Sequence, residues 1–149
     1  MKNINQEELN KILKEHELWL KGEGGKCADL SYADLIYANL SNANLEYANL
    51  EYADLSYVDL TYANLTHADL TYADLIHTDL SYSNLKDANL SNANLSNANL
   101  KDVKTNIYTI GYNLACPVKG SFIGYKKAKG CLIELLILED AKRSSATSA

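Results

Sequence analysis

ANLEYANLEYADLSYVDLTYANL, residues 43–65, carries a leucine at every fifth position and an Asp or Asn directly before each one. Two places before each leucine stands a small residue, alanine in every unit of the stretch but the one that holds Val58. The same spacing runs without a gap through Leu30, Leu35, Leu40, Leu45, Leu50, Leu55, Leu60, Leu65, Leu70, Leu75, Leu80, Leu85, Leu90, Leu95 and Leu100, fifteen in all. Outside the quoted stretch the small position departs from alanine only at Thr78 and Ser83. A repeat this regular decides the architecture ahead of local propensity.

In an α-helix five residues turn the side chain by about 500°, so successive leucines would step about 140° around the axis and form no stripe. In a straight strand the period of two sends alternate leucines to opposite faces. A chain that runs briefly extended and then turns a corner every five residues points every leucine inward. With four corners the path closes into a square coil of about 20 residues, and stacked coils lie about 4.8 Å apart. Periodicity alone leaves the number of sides open.

The Ala-Asp/Asn-Leu-x-x pattern fills residues 28–102 in fifteen consecutive units and resembles the pentapeptide repeat family, whose fold is a right-handed quadrilateral β-helix. The resemblance implies four sides. Val58 and Thr78, four units apart, would then stack directly, as would Tyr32, Tyr52 and Tyr72. The expected fold is an all-β solenoid of just under four coils, a rod of roughly 18 Å. An N-terminal capping α-helix and a small C-terminal β-hairpin cap complete it.

A stacked coil leaves unpaired backbone and apolar surface at both ends, which invites edge pairing. Residues 5–21, NQEELNKILKEHELWLK, read as an amphipathic helix, with Asn5 and Glu8 at cap spacing and Gly22 at the stop. Leu9, Ile12, Leu13, His16, Trp19 and Leu20 share one face, and Trp19 with Leu20 is expected to cover the first coil. After Leu100 the period dissolves through KDVKTNIYTIGYN. Residues 121–128 and 131–138 flank Lys129-Gly130 as a hairpin. CLIELLIL, apolar on both faces except Glu134, is expected to lie against the second end. The organisation is thus 1–27 capping helix and linker, 28–102 coil, and 103–149 C-terminal β cap and polar tail.

The segments ACPVKGSFIGYKKA and LLILEDAKRSSATS resemble a C-terminal domain found after such repeats in bacterial and phage proteins of no assigned activity. That resemblance covers residues 105–148, implies a bacterial or phage origin, and leaves open whether the chain continues past Ser148.

The chain is 47% hydrophobic and 22% charged, ordinary for a globular protein, and one proline with seven glycines argues against a loop-dominated one. No apolar run approaches the roughly 18 residues of a membrane span, and the N-terminus lacks a signal peptide's apolar centre. Cys27, Cys116 and Cys131 are odd in number and form no CxxC pair, which reads as free thiols, with at most one opportunistic pair, in a reducing cytoplasm. Residues 1–27, 28–101 and 102–149 carry 0, −8 and +3, which returns the net −5. An acidic middle disfavours direct nucleic-acid binding.

The repeat imitates chemistry without providing it. His67 and His77 stand two units apart, on opposite sides of a square coil, and His16 belongs to the helix, so no metal set converges. The aspartates recur because each corner asks for Asp or Asn to bond local backbone, not as paired catalytic carboxylates. Sequon matches such as Asn64-Leu65-Thr66 arise from the same repeat. Cys116 has no histidine near it in sequence, and neither a phosphate loop nor a nucleophile elbow occurs. The expectation is a non-enzymatic protein without cofactor or metal.

The surface is left. Tyr32, Tyr52 and Tyr72 form one ladder, and Asp34, Asp54 and Asp74 a column of like charges; these six are the candidate interaction surface. The aromatic ladder also reads as a self-stacking surface that stiffens the rod. The resemblance suggests two functions: a structural or protein-interaction module, or a DNA mimic acting on a type II topoisomerase (gyrase). B-DNA carries about 11 charges over the rod's length, the same order as the repeat's −8. The coil is short for that role, lacks the central phenylalanines of the topoisomerase-protecting relatives, and has no projecting loop. The module is the expected role, with a protein partner, no membrane, and a monomer or weak dimer in the cytoplasm.

Each buried leucine is expected to contribute about 2 kcal/mol of transfer free energy. Leu60→Ala should therefore destabilise the chain by about 2–5 kcal/mol in chemical denaturation, whereas a surface leucine would lose far less.

Overall fold

The structure, a computed structural model, describes residues 1–111 together with the backbone of residues 122–128 and 131–137. Its elements are β1 (Lys2–Asn3), α1 (Gln6–Leu20), β2 (Ala33–Asp34), β3 (Phe122–Ala128) and β4 (Cys131–Ile137). Most of the described chain is a coil whose extended sides are too short to count as strands. Each side contributes one bridging residue, the Asp or Asn before leucine. These pair in parallel from Asp29↔Asn49 through Asn84↔Lys104, always with the residue four units on. Four units therefore make one turn. We call side one that of Leu30, side two that of Leu35, side three that of Leu40 and side four that of Leu45, each recurring once per turn.

Three backbone bonds tie a mid-rod unit to the next turn, one of them from the corner residue, as in Tyr52 N–H to Thr71 O at 3.0 Å. Leu50 N–H donates to Asp69 O at 2.7 Å, and Asp69 N–H donates back to Ala48 O at 2.9 Å. All fifteen leucines are buried, from 0% exposed at mid-rod to 8% at Leu95, and the alanines line the corners between them. Thr78 fits an alanine position because its hydroxyl donates to Leu55 O at 2.7 Å.

The corner is built the same way fifteen times. The leucine carbonyl accepts from the amide three residues on, as in Ala53 N–H to Leu50 O at 3.1 Å. The Asp or Asn side chain accepts from the amide two residues on, as in Ser56 N–H to Asp54 Oδ1 at 3.0 Å, which is the local bonding expected of it. The residue before the next alanine then has φ between 54° and 64° in all fifteen units. That is the sign of φ a type II turn requires at its third position. Asn and Asp tolerate it, but here tyrosine does so eight times.

At the first coil, α1 starts on Asn5, whose Oδ1 accepts from Glu8 N–H at 2.9 Å. It stops in a Schellman turn: Gly22, at φ 71°, donates to Trp19 O, and Glu23 to Leu18 O. The linker then doubles back along the helix, and Gly25 is needed there because a Cβ would sit 2.1 Å from Glu15 O. The residues over the coil differ from those expected. Leu9 and His16 are fully buried, with Ile12 and Leu13 beside them, while Trp19 remains 39% exposed and Leu20 half-buried. The helix lies with its middle over the leucines, so its last turn reaches past the edge.

Residues 2–4 do something the repeat pattern does not announce. They run parallel to Ala33–Asp34 with Asn3 opposite Asp34, and Ile4, 6% exposed, donates to Asp34 O. Lys-Asn-Ile thus stands in for one unit of a coil that is not there.

At the other end the coil continues beyond Leu100. Val103 and Thr109 take small positions, and Lys104 and Ile110 take bridging ones. The bridge Asn89↔Ile110 encloses one residue more than the turns before it. Asn106 absorbs the extra residue, its Oδ1 accepting from the amides of Tyr108, Thr109 and Asp87. Gly111, at φ 81°, follows where a Cβ would meet Leu90 O at 2.3 Å. β3 and β4 pair antiparallel with Phe122 opposite Ile137 and Ala128 opposite Cys131, in the expected hairpin register. Its Lys129-Gly130 turn, its packing on the rod and the polar tail lie outside the described residues.

The left-handed corner gives a direct test. Tyr72→Val loses a ring stack and places a β-branched residue at positive φ, while Tyr72→Asn loses only the stack. The valine variant should be less stable than the asparagine variant by about 1–2 kcal/mol in urea titrations.

Candidate functional site

The corner residues of successive turns stand above one another, and their rings stack. Tyr32, Tyr52 and Tyr72 form one column, with centroids 4.9 and 4.8 Å apart and planes within 10°. Tyr37, Tyr57 and His77 form a second at 5.1 and 4.9 Å. Tyr62 lies on Tyr82 at 4.9 Å, with Lys101 Nζ 5.5 Å from the Tyr82 centroid. The pairing of Tyr47 with His67 at 4.7 Å is absent from the sequence reading. Its signal is there all the same, since the two lie one turn apart at the same place in the unit. Burial pushes the Tyr52 phenol above its usual pKa, helped by the flanking Tyr72 and Tyr32 and by Glu51.

Side two lies between the first two columns. Asp34, Asp54 and Asp74 bridge one another up this side, so the structure brings the six predicted residues together as one column of rings beside one of carboxylates. Each aspartate uses Oδ1 to hold its own corner, through Ile36, Ser56 and Ile76 N–H at 3.0–3.3 Å, and keeps Oδ2 free of described partners. The three ion pairs among the described residues, Lys2–Glu8, Lys11–Glu7 and Lys21–Glu17, all lie at the N-terminal end. Side two is therefore an uncompensated acidic strip with aromatic edges. Chemically it can accept hydrogen bonds from cations and N–H donors and offer ring faces to them.

Side four differs at the same positions. Asn64 Nδ2 donates to Asn44 Oδ1 at 3.0 Å, and Asn84 Nδ2 donates to Asn64 Oδ1 at 3.4 Å. The amides bond along the rod where the carboxylates of side two repel.

His16 sits where α1 meets the coil. Its Nδ1 accepts from Ala28 N–H at 3.0 Å, so its neutral form carries the proton on Nε2, which has no hydrogen-bond partner. Burial holds its pKa below the usual histidine value, against a weaker upward pull from the backbone carbonyl and charge of Glu46. Trp19 stacks on it at 5.7 Å and meets Tyr47 edge-on at 6.4 Å. Beside this junction a cleft of about 740 Å3 opens between α1, through Leu13, Glu17, Leu20 and the cap residue Lys21, and Asn42, Ala43, Asn44, Glu46 and Tyr47 of the first coil.

Among the described residues no three His, Cys, Asp or Glu side chains converge as a metal site. His67 and His77 stand in different columns, each against a tyrosine ring. Cys27 is a free thiol at 3.2 Å from Tyr47 O, and burial, with the charge of Asp29, raises its pKa. Cys116 lies outside the described residues, as does the side chain of Cys131. Among the described residues no helix is long and apolar enough to cross a membrane.

Comparison with known proteins bears on the same segments. The family described as pentapeptide repeats matches residues 26–61, 48–81 and 68–104, in eight copies, and a family of unknown function (DUF5758) matches residues 112–149. A pentapeptide repeat protein (Rfr23) from the cyanobacterium Cyanothece 51142 is 37% identical, with 56% of this chain and 60% of that one covered and a TM-score of 0.35. One from the thylakoid lumen of Arabidopsis thaliana is 33% identical over 51% of this chain and 57% of that one, TM-score 0.39. One from Nostoc Pcc 7120 is 32% identical over 65% of this chain and 81% of that one, TM-score 0.40. The chain thus spans less than two thirds of the length of the first two. No curated protein matches it.

The buried His16 makes pH a probe of the junction. Its folded-state pKa is lowered, so below about 6.5 the unfolded chain binds the proton that the folded chain refuses. Stability should hold above that pH and fall as pH drops through it. Thermal melts at pH 7.5 and 5.0 should show this difference shrinking in His16→Asn, which keeps an acceptor for Ala28 N–H without the titration.

Proposed function

The chain belongs to the pentapeptide repeat family, a family of right-handed β-helices, and from that premise we propose that it acts without catalysis, as a rigid rod whose side two binds another protein. One observation carries this reading: the Asp34–Asp54–Asp74 column has no cationic partner among the described residues and lies between two stacked aromatic columns. Tyrosine rings held rigid by their neighbours lose little entropy on contact, and exposed tyrosines are common anchors in protein interfaces. The free carboxylate oxygens favour a partner with Lys or Arg at its contact surface.

In the same reading the coil is a four-sided rod: its fifteen regular units make just under four turns, and the stretch from Val103 to Ile110 carries it on. The helix α1 and residues 2–4 cover its first end and the β3–β4 hairpin its second, so that the sides rather than the edges meet the partner. The setting is a bacterial or phage-infected cytoplasm, and the protein is a monomer or weak dimer.

The test uses substitutions that the corner tolerates. Tyr32, Tyr52 and Tyr72 changed together to Asn keep a residue that accepts positive φ. Asp54→Asn with Asp74→Asn keeps the corner acceptor. Affinity capture from bacterial lysate should retain a partner on the wild-type rod and lose it on either variant. Equal capture by all three removes side two as the contact surface. In the same preparations gyrase supercoiling should be unchanged by micromolar wild-type protein. Salt-sensitive inhibition that vanishes in the Asp54/Asp74 variant would instead make the acidic strip a DNA mimic.

A further inference from the structure

The first coil has an upstream edge on every side, and the chain closes these edges unequally. On side two, residues 2–4 pair as a strand. On side three, the Gln6 carboxamide does the work of a peptide unit: its Oε1 accepts from Asn39 N–H at 3.2 Å and its Nε2 donates to Asn39 O at 3.3 Å. On side one, His16 takes the Ala28 amide, while the amide and carbonyl of the exposed bridging residue Asp29 have no described partner. Side four is open at the same place: no described residue bonds the amide or the carbonyl of Asn44, which is exposed. It differs in its small residue, since Ala43 is only half-buried where Ala28 of side one is 2% exposed and Ala63, one turn on, is 1% exposed. The cleft of about 740 Å3 lies directly against this edge, walled by Leu13, Leu20 and the Glu17–Lys21 pair.

We propose that this cleft binds an extended segment of a partner protein, which adds to Asn44 as a parallel edge strand. The occupant's chemistry follows from the closures beside it. A peptide unit satisfies Asn44 as the Gln6 amide satisfies Asn39 and as β1 satisfies Asp34. An aliphatic side chain meets Leu13, Leu20 and Ala43. A neighbouring Lys or Arg meets Glu46, which has no ion-pair partner among the described residues, whereas Glu17 is neutralised by Lys21 at 2.6 Å. Strand addition of this kind draws affinity from main-chain bonds and selectivity from the side-chain pockets. The site goes beyond the side-two surface and shares none of its residues.

The probe is the hexapeptide MKNINQ, acetylated and amidated, which repeats the strand the chain itself lays on side two. With the 15N-labelled full chain, the peptide at millimolar concentration should shift the amides of residues 42–47 and 13–21. It should also slow hydrogen exchange at Asn44 by about tenfold or more. Asn44→Pro removes the edge donor, at the cost of the corner acceptor that Asn44 Oδ1 gives Glu46 N–H, and should abolish the shifts at residues 13–21 and 45–47. Unchanged amides at Leu75 and Leu80 would report an intact rod. If that variant fails to fold, Leu20→Lys, which sets a like charge against the peptide's lysine, should weaken the shifts instead.

An Asn44 amide that does not respond overturns the proposal. So does one already protected in the free chain, since the edge is then filled from within, or one whose shifts depend on protein concentration alone, since a second copy then occupies it. Shifts confined to residues 33–35 would mean exchange with β1 and would also overturn it. The side-two variants leave Asn44 untouched, so failure of the capture experiment and failure of this one are separate results.

Discussion

Every turn of the rod depends on a residue held at positive φ between leucine and the next alanine. Without it the chain cannot reverse so sharply, and the leucine carbonyl cannot accept from the amide three places on. For a non-glycine residue this conformation costs roughly 1–2 kcal/mol. A ring stack between neighbours returns about 0.5–1.5 kcal/mol. The two are of the same size, so a bulky aromatic is tolerable at a corner only with another above or below it. The columns obey this. Every tyrosine or histidine at these corners touches a ring in its own column, and each column passes to Asn or Asp at its end: Asn92, Asn97, Asp102 and Asp87. The change from Tyr to Asn along the sequence is thus the point at which stacking stops offsetting strain and intrinsic tolerance takes over.

The same backbone that stacks without limit must be stopped. A bare first coil would present amides and carbonyls on four sides together with the tops of its leucines, an edge open to pairing. The chain meets this in part with unlike devices: the short strand β1, a side-chain amide, an imidazole, and the apolar middle of α1. Placing His16 there has a consequence. Burial disfavours the charged form of the group that links the helix to the rod, so the junction is sensitive to acid.

What is readable in the sequence, and what is not, follows from how locally each feature is encoded. Leucine burial, the small position and the Asp/Asn acceptor repeat in every unit, and one unit is enough to interpret them. The hairpin register and the start of α1 at Asn5 are likewise local. The left-handed corner is hidden because tyrosine is a poor resident of that conformation, and its reason lies one full turn away. The role of residues 2–4 is hidden because Lys2 is not small. It lies in β1, the outermost strand at the first end, where it is exposed and no packing demands alanine. The continuation past Leu100 is hidden because one extra residue breaks the count of five, and only the three amides gathered by Asn106 restore it.

The corner also changes how the candidate surface should be weighed. Exposed tyrosines by themselves say little about binding here, since each has a structural task. Aspartate does not have that excuse. Asn serves the corner acceptor equally well, as side four shows, and its amide adds hydrogen bonds along the rod at 3.0 and 3.4 Å. Aspartates at coil spacing on side two forgo those bonds and repel by about 1 kcal/mol per neighbouring pair in water, less in salt. Stability alone would favour asparagine at all three positions over the Asp34, Asp54 and Asp74 that are present. Carboxylates adjacent at coil spacing, three on side two and the Asp59–Asp79 pair on side three, are therefore what the architecture does not explain, and the longer run on side two is where a cationic partner would offset the most repulsion.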